Sequence, residues 1–205
     1  MKKALVALLV SGMMTSAYAD VVISEGFDDV SSLQSKGWIL DNKSTPAGQT
    51  GWFQGNVGFT AQGSSDYSYV AANYGNAAEG GTINNWLYTP EFSTAIGATV
   101  SFWLQAIDEV GFSDQIAFGF TDATGVVTDL VPTFTVGTNG WTQYFAHIGP
   151  SAGTGRFAFQ YSGNADTSSY VGIDSLVVNV PEPSSILILA AGAMGLVAAR
   201  RRKRA

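Results

Sequence analysis

Val100-Ser101-Phe102-Trp103-Leu104 decides the fold. Val100, Phe102 and Leu104 share one face of an extended chain, and a period of two built from β-branched and aromatic residues marks a half-buried strand. The same period returns at Ile116, Phe118 and Phe120, and again at Phe157, Phe159 and Tyr161. Further strands are predicted at 21–23, 37–40, 51–54, 67–72, 86–88, 131–136, 141–148 and 170–178. Turn chemistry separates them at Pro46-Ala47-Gly48, Gly80-Gly81, Asp122-Ala123-Thr124-Gly125, Thr138-Asn139-Gly140 and Ser162-Gly163-Asn164. Within 20–180 no stretch sustains a 3.6 period, apart from one turn of helix at 30–36. Many short strands punctuated by glycine predict an all-β fold, a sandwich of two antiparallel sheets. The polar stretches 42–66 and 73–85 are expected as long surface loops.

Both ends differ from this middle. Lys2 and Lys3 precede an apolar run from Ala4 to Met14, and Ala17-Tyr18-Ala19 supplies small residues before Asp20. That order is the order of a secretory signal peptide cleaved between Ala19 and Asp20, and it implies export through the Sec route. At the other end Pro181-Glu182-Pro183 interrupts any regular element, because proline fixes φ and lacks a donor. An apolar stretch, 186–199, follows and closes on Arg200-Arg201-Arg202-Lys203-Arg204. As a helix it would measure about 21 Å at 1.5 Å per residue, short of a hydrocarbon core of about 30 Å. It would therefore cross only with local thinning or snorkelled flanks. The basic cluster would stay on the cytoplasmic side, leaving 20–180 outside the inner membrane. The chain is thus expected as a signal helix over 1–19, one sandwich domain over 20–180 and a hydrophobic sorting helix over 181–205.

Pro181-Glu182-Pro183, the apolar helix and the terminal Arg/Lys run resemble the PEP-CTERM sorting signal. The resemblance implies processing by an exosortase, a transient inner-membrane intermediate, and a final place at the cell surface or in an exopolysaccharide matrix.

The whole chain carries a net charge of −6. Residues 20–180 hold only Lys36, Lys43 and Arg156 against fifteen acids, so this part alone is 3 − 15 = −12. Such a surface repels nucleic acid and anionic membranes and is compatible with divalent cations. With no cysteine, the exported domain must stand on its core and any bound metal.

Segments in order through the middle resemble the choice-of-anchor J domain, a relative of cleaved-adhesin domains. They include Phe27-Asp28-Asp29, Gly37-Trp38, Gly51-Trp52-Phe53-Gln54-Gly55-Asn56, Asn84-Asn85-Trp86-Leu87-Tyr88-Thr89-Pro90 and Tyr170-Val171-Gly172-Ile173-Asp174. The resemblance implies a jelly-roll-like β-sandwich, calcium in some members and no established catalytic activity.

Related jelly rolls place calcium between acids of the first and last strands, and the matching positions are Glu25, Asp28 and Asp174. The structural alternative makes Asp28 a turn acid and Asp174 the cap of a backbone bend. Carbohydrate offers a second role. Sugars stack on exposed aromatic faces, and Trp52, Tyr67 and Tyr74 flank the polar loops where such a platform would stand. Catalysis is poorly supplied. His147 is the lone histidine, no G-x-S-x-G or H-E-x-x-H occurs, and Asp108 and Glu109 are adjacent, so on a strand they would face opposite ways. The expected function is a non-catalytic surface or matrix protein of adhesive or structural type. A carbohydrate-binding module is the alternative, and a hydrolase follows behind it.

Overall fold

The computed structural model describes residues 19–122, 124–151, 153–181 and Gly192. The two predicted terminal helices, 1–19 and 181–205, lie almost wholly outside these residues. Among the described residues no helix is long and apolar enough to cross a membrane. Asp20–Val180 forms a compact unit.

Among the described residues fifteen strands run in chain order as β1 (Ala19–Glu25), β2 (Ile39–Asn42), β3 (Thr45–Ala47), β4 (Phe53–Gln54), β5 (Val70–Asn73), β6 (Ala77–Tyr88), β7 (Phe92–Ser93) and β8 (Ala98–Ala106). They continue as β9 (Gln115–Thr121), β10 (Val127–Leu130), β11 (Phe134–Thr135), β12 (Thr142–Ile148), β13 (Thr154–Gly155), β14 (Phe157–Asn164) and β15 (Tyr170–Pro181). One sheet has the order β12-β8-β15-β5-β4, with β1 also on β15. The facing sheet has the order β10-β9-β14-β6-β2, with β11 on β9 and β3 on β6. The pairings are antiparallel, and the result is a jelly-roll-like β-sandwich.

The predicted alternation carries the core. In β8 Ala98, Val100, Phe102, Leu104 and Ala106 point inward and are buried. Phe102 meets Phe118 of β9 edge-to-face at 4.9 Å and Phe159 of β14 at 4.8 Å, which joins the two sheets. Burying a large apolar side chain is worth about 1.5–3 kcal/mol, and aromatic edge contacts add to that. The turn of helix expected at 30–36 appears as two 3₁₀ turns. Asp29 caps the first by accepting from Ser31 N at 3.0 Å.

Two expectations need correction. Residues 73–85 are not a loop, because β6 runs from Ala77 through Gly80-Gly81 to Tyr88. The asparagines that make this stretch look polar are paired instead, with buried Asn85 donating to buried Asn76 Oδ1 at 2.8 Å. This bond satisfies the Asn85 donor side, while its Oδ1 is left buried without a partner. The stretch 42–66 is likewise only partly a loop. It contains β3 and β4, and its later part folds back on the outer face of the first sheet. There Phe59, Tyr69, Trp141 and Tyr170 form a second, smaller apolar cluster. Trp141 Nε1 donates to Thr60 O at 2.8 Å, and Tyr69 and Tyr170 share a hydroxyl hydrogen bond at 3.1 Å.

β15 carries one irregularity that simple alternation misses. Asp174 pairs with Trp103 and Val177 with Ser101, so β15 spends one extra residue there. Val171 and Ile173 face the core before this bulge, and Leu176, Val178 and Val180 after it. The bulge shifts the parity of the strand, and Ser175 absorbs it at a positive φ of 50°.

Candidate functional site

A cleft of about 940 Å³ opens where the start of β6, the 3₁₀ turns Tyr74–Asn76 and Ala165–Thr167, and the segment after β8 converge. Tyr74 and Phe112 rim it, with 59% and 41% of their surface exposed. Gln49, Thr50, Asn73, Glu79, Glu109 and Asp166 supply its polar wall.

The wall is built by side chains that bond backbone. Asn73 Oδ1 accepts from Gly75 N at 3.0 Å and from Thr50 Oγ1 at 2.8 Å, which fixes the turn that presents Tyr74. Asn42 Nδ2 donates to Thr50 O at 2.9 Å and Asn76 O at 2.8 Å, locking the adjoining segment. Across the cleft Asp166 Oδ1 accepts from Gly80 N at 2.8 Å and ties the second turn to β6. Ser169 Oγ donates to Glu109 Oε2 at 2.6 Å, and Tyr74 N donates to Ser169 O at 3.0 Å. Beneath lies Asp114, 1% exposed, accepting from Tyr161 OH at 2.5 Å, Ser169 N at 3.0 Å and Tyr170 N at 3.1 Å. Burial raises the Asp114 carboxyl above its usual range, while these donors pull it back. Ser168, 1% exposed, also lines the cleft, and its Oγ has no hydrogen-bond partner.

The expected platform residues do not act together. Trp52 is buried at 6% exposure inside the main core, so it cannot offer a face to a sugar. Polar neighbours in sequence do not decide which way an indole points. The loop turns the indole inward, where Nε1 finds no partner. Tyr67 is 47% exposed but does not line this cleft. Of the three, only Tyr74 does. Glu79 and Asp166 carry no local signal, and Glu109 stands out in sequence only as the acid adjacent to Asp108, because separate chain segments deliver the cleft lining.

The expected calcium ligands have these surroundings. β1 pairs with β15, as closure of first and last strands requires. Glu25 is committed elsewhere, with Oε2 at 3.0 Å from Lys36 Nζ and Oε1 accepting from Phe27 N at 3.0 Å. Asp174 Oδ2 accepts from Gln62 N at 2.7 Å, and its other oxygen accepts from Ser175 N. Burial chiefly, with the charge of Asp28 adding, pushes the Asp174 carboxyl up to about 6. Asp174 is thus engaged by backbone donors and Glu25 by Lys36 and Phe27 N. Among the described residues no three His, Cys, Asp or Glu side chains form a group able to hold a metal ion.

Comparison with known families settles the C-terminal segment. Residues 179–203 match the PEP-CTERM protein-sorting motif. The chain carries a sorting signal. Ahead of this motif the sandwich is similar to the K1 cleaved adhesin domain of Lys-gingipain from Porphyromonas gingivalis W83. That likeness has a TM-score of 0.58 at 21% identity and covers 78% of this chain and 98% of that one. The K3 cleaved adhesin domain of the same protein gives 0.53 at 19% identity over 78% and 98%. The arabinose-bound α-L-arabinofuranosidase MgGH51 gives 0.52 at 12% identity, covering 80% of this chain but 26% of the enzyme. These likenesses establish the fold that precedes the sorting motif. A search of curated proteins finds no match.

Proposed function

We propose that this chain is a non-catalytic exported protein of the cell surface or exopolysaccharide matrix, delivered through its PEP-CTERM segment by an exosortase. The carrying observation is the joining of the sorting motif at 179–203 to a cleaved-adhesin-like sandwich. On this reading the inner membrane holds a transient intermediate, and the sandwich is the adhesive or structural part.

The site chemistry favours binding over turnover. A general acid needs a carboxyl raised by an apolar pocket, and Glu79, Glu109 and Asp166 all stand exposed in the cleft. The carboxyls that burial does raise, Asp114 and Asp174, are held by protein donors. His147 lies on the exposed side of β12, opposite Thr99.

A carbohydrate ligand is the second reading, and the exposed Tyr74 ring beside polar side chains favours it. Calcium enters only as a counter-ion for Asp28 and Asp174, whose carboxylates would supply oxygens. The test is incubation of the purified protein with the producing cell's exopolysaccharide. The protein should co-sediment with the polymer and release no new reducing ends. Progressive shortening of the polymer would overturn the non-catalytic reading.

A further inference from the structure

We infer that the Tyr74 cleft selects polysaccharides that carry free, protonated amino groups. This rests on the carbohydrate reading above and names its ligand class. Glu79, Glu109 and Asp166 line the cleft, and among its described lining residues there is no lysine, arginine or histidine. The domain's cations cannot compensate from a distance. Lys36, Lys43 and Arg156 are paired with Glu25, Asp41 and Glu91 at 3.0, 3.0 and 3.2 Å.

The acids also keep free acceptor capacity. Glu109 uses Oε2 on Ser169 and Asp166 uses Oδ1 on Gly80 N, so each presents a second oxygen. A single metal ion is a poor match, because these acids form no group of three able to ligate one among the described residues. Positive groups spaced along a polymer match better. The Tyr74 ring adds a surface on which a sugar can lie and over which an ammonium group is attracted. A uronic-acid polymer would meet like charge throughout and be rejected.

Calorimetric titration of the purified protein tests this, with the hexamers of glucosamine, N-acetylglucosamine and galacturonic acid as probes. The pH is held where the amine is protonated. The glucosamine hexamer should bind on the order of tenfold more tightly than its acetylated counterpart, as a few exposed ion pairs allow. The galacturonate hexamer should not bind. Salt should narrow the difference by screening. The Glu79→Gln/Asp166→Asn variant should lower glucosamine affinity to the acetylated level and leave the latter unchanged, and Tyr74→Ala should weaken both.

Equal affinity for the amino and acetylated hexamers overturns this inference and leaves the carbohydrate reading intact. A preference that survives in Glu79→Gln/Asp166→Asn assigns the attraction to the general surface charge and overturns the role of the cleft. No binding of any probe by protein with an unaltered melting transition overturns both readings.

Discussion

The Tyr161 hydroxyl donates to Asp114 Oδ1 at 2.5 Å, joining β14 to the floor of the Tyr74 cleft. The same carboxylate accepts Ser169 N and Tyr170 N, so one buried acid organises the start of β15. Burial raises the Tyr161 hydroxyl, and the Asp114 charge raises it further, which keeps the proton on Tyr161. Tyr161→Phe keeps the ring packing but removes the donor to a buried charge, and should cost about 1.5–3 kcal/mol in urea unfolding. A loss too small to measure would show that the hydroxyl contributes nothing to the floor.

Trp52 separates core from platform. Trp52→Ala should lower stability by about 3–5 kcal/mol through the cavity it leaves. Trp52→Phe should cost less, because it also removes the buried unpartnered Nε1–H. Tyr74→Ala should leave the melting temperature nearly unchanged, since the ring is 59% exposed. A Trp52→Phe protein that keeps full stability but loses glycan binding would restore Trp52 to the site.

Stability should fall as pH rises from about 4 to about 7 in chelator-treated protein. Asp174 is raised to about 6 from 3.8, so the folded state holds a proton that the unfolded state has released in that window. The stabilisation is complete below the unfolded value and is lost through the folded one. Asp114, also raised, acts in the same direction. Asp29, Asp66 and Asp122 are lowered and act with the opposite sign, but only below this range. The fall should be roughly 1–2 kcal/mol and smaller in Asp174→Asn. A melting temperature that climbs steadily between pH 4 and 7 would contradict the placement of Asp174.

Burial chiefly, with the Asp28 charge added, disfavours the ionised Asp174 carboxylate, and a bound cation would offset this as protonation does. Calcium added at neutral pH should therefore raise the melting temperature by a few degrees once it is well above its dissociation constant. The rise should vanish in Asp174→Asn and persist in Glu25→Gln, because Glu25 is paired with Lys36. A transition that neither calcium nor chelator moves would remove calcium from the account.

The sandwich was legible because residues such as Phe102, Phe118 and Phe159 alternate strictly, and alternation alone sets which face of a strand is buried. The C-terminal motif was legible for a different reason. Its charge and hydropathy order is written in consecutive residues, and Pro181-Glu182-Pro183 falls inside the matched motif. The cleft was not legible. Its acids come from β6, from the segment after β8 and from the 3₁₀ turn before β15, and only the sheet order brings them together. Nor was the part of β6 ahead of the strand read at 86–88, where asparagines that imitate a loop hydrogen-bond in the interior. The bulge at Asp174-Ser175 likewise depends on pairing with β8, which local pattern does not carry.

The central claim concerns an exported product trimmed at both ends. Intact-mass spectrometry of the native protein, from producing cells with and without their exosortase, tests it most directly. The account predicts a surface or matrix product that begins at Asp20 and ends near Pro181-Glu182-Pro183. Without the exosortase, a longer membrane-associated form should accumulate, still bearing Arg200-Arg201-Arg202. A full-length chain that begins at Met1 and stays in the cytoplasm of both strains would contradict it.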